Sequence, residues 1–169
     1  MSSGSMHAFA APIFVRALRN LRGVLEIGEK FTSDKGIAPE VMLQTRLMPD
    51  MLPLVRQVQI ASDNAKGCVA RLAGIDPPKF EDHEATYAQL SERIDKTVAF
   101  LKSLKPAQVD GSEGRDIVLK FPNNTFEFKG AQYLVHFAIP NFTFHVVTAY
   151  DILRHNGVPI GKPDFLGQA

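Results

Sequence analysis

A single cysteine in 169 residues, Cys68, leaves the chain without an internal disulfide or a multi-cysteine zinc knuckle. A marked surplus of either sign of charge is missing too. Nineteen Lys and Arg face eighteen Asp and Glu, and the formal net charge of +1 gives no footprint for a nucleic acid or an anionic membrane. No apolar run is long enough to span a bilayer and no segment has the order of a secretory signal, so the chain reads as cytoplasmic. Internal repeats, low-complexity tracts, a glycine-rich phosphate loop after a strand and a serine or cysteine triad motif are absent as well. What is present is a globular balance, 45% hydrophobic and 22% charged. A chain of this length buries roughly two-thirds of its unfolded surface and needs no disulfide or structural metal to hold a core. Residues 1–5 read as a cloning remnant or a disordered terminus, and 6–169 as one helical domain.

Apolar residues at three- and four-residue intervals predict a first helix over 9–31, with Phe14, Leu18, Leu21 and Leu25 inward and Arg16, Arg19 and Arg22 on a solvated outer face. A second helix is predicted over 51–72, with Asp50 as its cap and Pro53 in its first turn. Its stripe is Leu54, Val58, Ala61, Ala65, Cys68 and Leu72, and Gly74 stops it. Cys68 in that stripe reads as a small buried hydrophobe, not a nucleophile. The spacing of Tyr87, Leu90, Ile94, Val98 and Leu101 gives a third helix, with Glu81 and Asp82 as its N-terminal acids, His83 exposed in its first turn and Lys105-Pro106 as its stop.

Alternation then replaces the helical period. Ile117, Leu119 and Phe121, then Phe126 and Phe128, predict a two-stranded hairpin turning at Pro122-Asn123-Asn124, its phenylalanines against the helices. The last helix, over 130–155, should be kinked or split at Pro140 and capped by Asn156-Gly157. An extended tail over 158–166 should dock back on the body.

Successive residues turn by about 100° in a helix, so Asn141, His145, Thr148 and Ile152 share a strip roughly 60° wide on the last helix. Three of the four are polar, yet Phe142, Val146, Ala149 and Leu153 flank the strip on one side and Phe144 and Val147 on the other. A polar row inside an apolar envelope must be hydrogen-bonded or bind something, since an unpaired buried polar group costs about 1–3 kcal/mol. Gln57 and Asn64, seven residues apart on the second helix, are placed to face the same space. Gln59 and Asp63 point elsewhere by the same geometry and rank lower. Two readings stay open: a satisfied core network, and a pocket for a small molecule lined by His145, Asn141, Gln57, Asn64 and Thr148. Phe142, Phe144 and Tyr133 would wall such a pocket or simply pack the core. His7, His83, His136 and His155 read as structural or exposed.

The stretches 141–145 and 149–161, together with Pro49-Asp50-Met51 and 57–67, resemble a bacterial family known as domain-of-unknown-function family 1993, over nearly the whole chain from Met6. That family resembles a branch of the DinB/YfiT-like superfamily. The resemblance implies a mainly α four-helix bundle with the hairpin inserted before the last helix, and a homodimer formed through helix faces. It also implies a metal held by one histidine of the second helix and a His-x-x-x-His pair of the last, with thiol-dependent transferases or isomerases among the relatives. Here the pair falls on Asn141 and His145, and the second-helix position falls near Gln57 or Gln59. His145 is therefore the only residue at a superfamily ligand position, and an amide oxygen is a poor substitute for imidazole toward zinc or nickel. The expectation is a small-molecule binding protein without a cofactor. The alternative is a metal- or thiol-cofactor-dependent transferase-like enzyme with His145 as general base or as ligand of a weakly held zinc or nickel ion.

Overall fold

The computed structural model describes residues 4–167. Four long helices form the body: α1 (Ala11–Asp34), α3 (Leu54–Ala73), α4 (Tyr87–Ser103) and α7 (Ile139–His155). Short helices α2 (Pro39–Leu43), α5 (Pro106–Val109), α6 (Gly130–Gln132) and α8 (Lys162–Leu166) lie in or beyond the connections, and β1 (Asp116–Lys120) and β2 (Thr125–Lys129) form an antiparallel hairpin. The hairpin expectation holds in register: Ile117 pairs with Phe128 and Leu119 with Phe126.

Side-chain meetings fix the direction of each helix. Gln57 meets His145 at one end of α3 and Arg71 meets Tyr133 at the other, so α3 and α7 run antiparallel. On α1, Arg22 meets Asp95 and Gly28 lies by the Tyr87 hydroxyl, so α1 and α4 are antiparallel. Phe14 packs edge-on against Phe142 at 4.8 Å while Gly28 sits under Leu153, so α1 and α7 are parallel. Gln59 meets Glu84 and Asp63 meets Arg93, which makes α3 and α4 parallel. The order is up, down, down, up. Parallel α3 and α4 cannot be joined by a tight turn, so residues 74–86 travel back along the bundle as a strap.

Local chemistry explains the ends. Gly74 takes φ 72°, the left-handed conformation that a C-terminal glycine supplies without strain, and stops α3 as expected. Asp50 does not cap α3: it lies in the turn ahead of the helix, and Pro53, which has no N–H to satisfy, occupies the N-cap. Nor do Glu81 and Asp82 begin α4. Its cap is Thr86, whose Oγ1 accepts from Gln89 N while Gln89 Oε1 accepts from Thr86 N, a reciprocal capping box. The last long helix, expected to kink or split at Pro140, is helical throughout but leaves regular α geometry just ahead of that proline. A π-helical stretch, Tyr133–Ala138, runs directly into α7, and Pro140, which has no N–H to give the hydrogen-bond ladder, sits in the first turn of α7.

Ile117 and Leu119 bury the inner face of the hairpin, and Phe128, half-buried, packs at a tilt against Tyr133 and Phe137. Phe121 and Phe126, expected against the helices, are exposed near the tip. In the tail, Val158 and Ile160 are buried as expected, but 162–166 form α8, docked on α1 by Asn20 Nδ2 donating to Phe165 O, where an extended chain was anticipated. Of the residues read as a remnant, 1–3 lie outside the described residues. Ser5 and the His7 backbone both donate to Asp110, and the His7 ring lies 3.0 Å from Leu104 O, so this segment is fastened to the end of α4.

Candidate functional site

Gln57, 1% exposed, and half-buried His145 face each other across α3 and α7, with Gln57 Oε1 2.7 Å from His145 Nδ1. The orientation of the Gln57 amide is set by its other end, because Nε2 donates to Leu52 O at 2.9 Å. Oε1 therefore accepts, and His145 carries its proton on Nδ1 and donates it. Burial pushes the imidazole pKa below its ordinary value, which keeps the ring neutral. The outcome is a fixed tautomer whose Nε2 presents a lone pair, with Phe144 edge-on to the ring at 5.3 Å.

The other members of the predicted site are arranged less closely. Antiparallel pairing of Gln57 with His145 places Asn141 and Asn64 further along the same α3/α7 seam. Both are half-buried, and neither side chain makes a hydrogen bond among the described residues. Thr148 is buried and spends its hydroxyl on its own helix, donating to Phe144 O at 2.7 Å. Phe142 is core, packed on Phe14, whereas Phe144 is exposed. Tyr133 is buried near Cys68 at the far end of α3, its phenol pushed up to about 12 by burial. Burial also pushes the Cys68 thiol far up, out of the range of a nucleophile. His136 and His155 are exposed, and His83 is exposed in the strap, not in the first turn of α4.

A second polar constellation was not anticipated. Arg93 of α4, its side chain 1% exposed, donates from Nη1 to Glu84 and to Glu81 O, and from Nη2 to Asp63; Asp82 stands 3.0 Å from Nη2. Gln59, 2% exposed, accepts from Arg56 and donates to Glu84, and Arg56 also pairs with Asp82. Lys66 is nearly buried beside Asp63 and lies 4.6 Å over the Phe80 ring. Although burial acts the other way, the Arg56 and Arg93 guanidiniums hold Asp82 below the usual carboxylate range. At Glu84 burial again opposes, and hydrogen bonds from Arg93 and Gln59 outweigh it, so this carboxyl too lies below its usual range. These groups latch the strap to α3 and α4. The available signal was that Gln59, Asp63 and Lys66 recur at four- and three-residue spacing and so share one face of the helix.

The superfamily's metal can be tested on this donor set. His145 offers one nitrogen, and Gln57 has both amide ends committed, one to His145 and one to the backbone. Asn141 offers only an amide oxygen. Among the described residues no three His, Cys, Asp or Glu side chains are grouped so as to hold a metal ion. These residues do not fit a three-histidine metal.

The family described as Domain of unknown function (DUF1993) matches residues 6–166, and the chain belongs to it. A crystal structure of a DinB family member protein from Shewanella denitrificans is similar, at 37% identity, over 96% of this chain and 92% of that one, with a TM-score of 0.87. The chain is thus a DinB-like helical protein, as the resemblance implied. No functionally curated protein matches it. Among the described residues no helix is long and apolar enough to cross a membrane.

Proposed function

We propose that this member of the domain-of-unknown-function family 1993 is a small-molecule binding protein whose recognition group is His145. The observation that carries the reading is the Gln57 clamp: an amide locked by Leu52 O fixes Nδ1–H and leaves Nε2 as an oriented acceptor. Asn141 and Asn64, half-buried on the same seam, supply amide groups for a ligand's remaining polar atoms. A transferase-like enzyme is the second reading, favoured by the same tautomer, since a neutral imidazole held at Nδ1 is oriented to take a proton at Nε2. A homodimer belongs to the proposal. It is supported by the apolar groove between α1 and α7, lined by Ile13, Ala17, Leu21, Val24 and Val146.

Native mass spectrometry with elemental analysis, on protein purified without tag or chelator, tests the reading. A small-molecule adduct in the parent that His145→Ala loses, with no transition metal in either, is the expected result. Near-stoichiometric metal lost with His145 would replace the reading with the metalloenzyme. An adduct retained by His145→Ala would remove His145 from the site.

A further inference from the structure

At the end of α3 remote from His145, two glycines hold guanidinium groups. Gly67 lies in the interior of the helix, where only proline is a poorer helix former. A Cβ at Gly67 would stand 2.5 Å from Arg71 Nη1, and its three nearest neighbours all belong to that guanidinium. Arg71 leans back over this notch, in the direction helical side chains favour, and Nη1 donates to the Tyr133 hydroxyl at 3.1 Å. Gly74 is required by its left-handed cap, and it has a second role: a Cβ there would overlap Nη1 of Arg115. Arg115 reaches the notch from the loop ahead of β1, where its N–H donates to Ser112 O.

The two notches are two helical turns apart on one face of α3, about 10 Å along its axis. Arg71 and Arg115 line one open cavity of about 580 Å³, together with Ile75, Pro77 and Ile117. Two acids stand on its wall. Asp116 is bridged to Lys129, and Asp76 forms no ion pair among the described residues. Neither arginine is paired with a carboxylate among the described residues. Two seated, unneutralised guanidiniums lose little side-chain freedom on binding and present planar forks suited to oxyanions.

We propose that Arg71 and Arg115 form a binding site for a dianion, a molecule carrying two carboxylate or two phosphate groups spaced to span the two notches. The site shares no residue with the His145 seam and stands or falls separately from it. Isothermal titration at low ionic strength, with suberate and hexane-1,6-diol bisphosphate as probes and octanoate as the single-charge control, tests it. At least one dianion should bind, and which one does distinguishes carboxylate from phosphate. That binding should weaken with added salt and fall about tenfold or more in Arg115→Ala, the loss of one charge-assisted fork. Gly67→Ala keeps both charges and dislodges only Arg71, so it should show a similar loss while circular dichroism reports an intact helical protein. No binding of either dianion at millimolar concentration would overturn the proposal. So would octanoate binding as tightly as suberate, or affinities unchanged in both variants.

Discussion

At the scale of the residue, the His145–Gln57 pair makes a commitment that can be titrated. The folded-state pKa of His145 lies below its ordinary value of 6.5 because burial disfavours the imidazolium. Around that pH the unfolded chain takes up a proton that the folded chain refuses. The contribution of neutral His145 to stability is thus fully present above about pH 6.5 and is lost as pH falls through the folded-state pKa. Urea midpoints should drop between about pH 7.5 and 5, and the drop should shrink in His145→Gln; equal slopes in parent and variant would contradict the assignment. Gln57→Leu leaves Nδ1–H facing an apolar side chain and should cost about 1–3 kcal/mol at neutral pH. This pair was legible in the sequence, since both residues lie near apolar stripes whose helical phase is unambiguous. Gln59 and Asp63 do point away from that seam, toward Glu84 and Arg93, but the ionic cluster they enter was not foreseen by the same geometry. It assumes one buried face per helix, whereas α3 packs on α4, on α7 and under the strap, and buries residues all round.

At the scale of the element, the strap of residues 74–86 replaces the short turn that antiparallel neighbours would allow. It carries few apolar anchors, so its hold is electrostatic: Asp82 and Glu84 on Arg93, Arg56 and Gln59. Arg93→Ala should cost about 3 kcal/mol in denaturant unfolding, the low end for breaking a buried pair because Asp63 and Asp82 remain about two-fifths exposed to water. The double change Arg93→Ala with Glu84→Gln should recover part of that loss, since Glu84 is the partner left buried without its cation. A double variant no more stable than the single would show that the strap is held by something other than this pairing. Sequence alone assigned Glu81 and Asp82 to the start of α4 because acids before a helix commonly serve its dipole. The real signal was Thr86 with Gln89, a capping box whose first residue directly precedes Tyr87. Element existence was legible throughout the bundle; the exact ends depended on which of two competing caps won.

For the whole molecule, the up-down-down-up order leaves α1 and α7 parallel neighbours, and their shared groove is lined mainly by apolar side chains, with Arg16 and Asn20 among them. Ile13 is 42% exposed and lines it, Leu166 lies at its α8 end, and Phe9 stands in the turn just ahead of α1, both exposed. Side chains of that size left in water along one seam are the pattern of an interface, not of scattered surface residues. The directions of the four helices could not have been read from the chain, because amphipathic spacing reports which face is buried and not which neighbour covers it. The apolar seam follows from those directions: it exists only where α1 and α7 lie side by side. A second copy packed here would be isologous, each Ile13 near the twofold axis or its mate. Sedimentation velocity at tens of micromolar should show a dimer for the parent and a monomer for Ile13→Asp. Because Ile13 is largely outside the core, the variant should unfold at the parent's denaturant midpoint once both are compared at concentrations where each is monomeric. A parent that sediments as a monomer throughout would leave this seam for a different occupant and remove the homodimer from the proposed function.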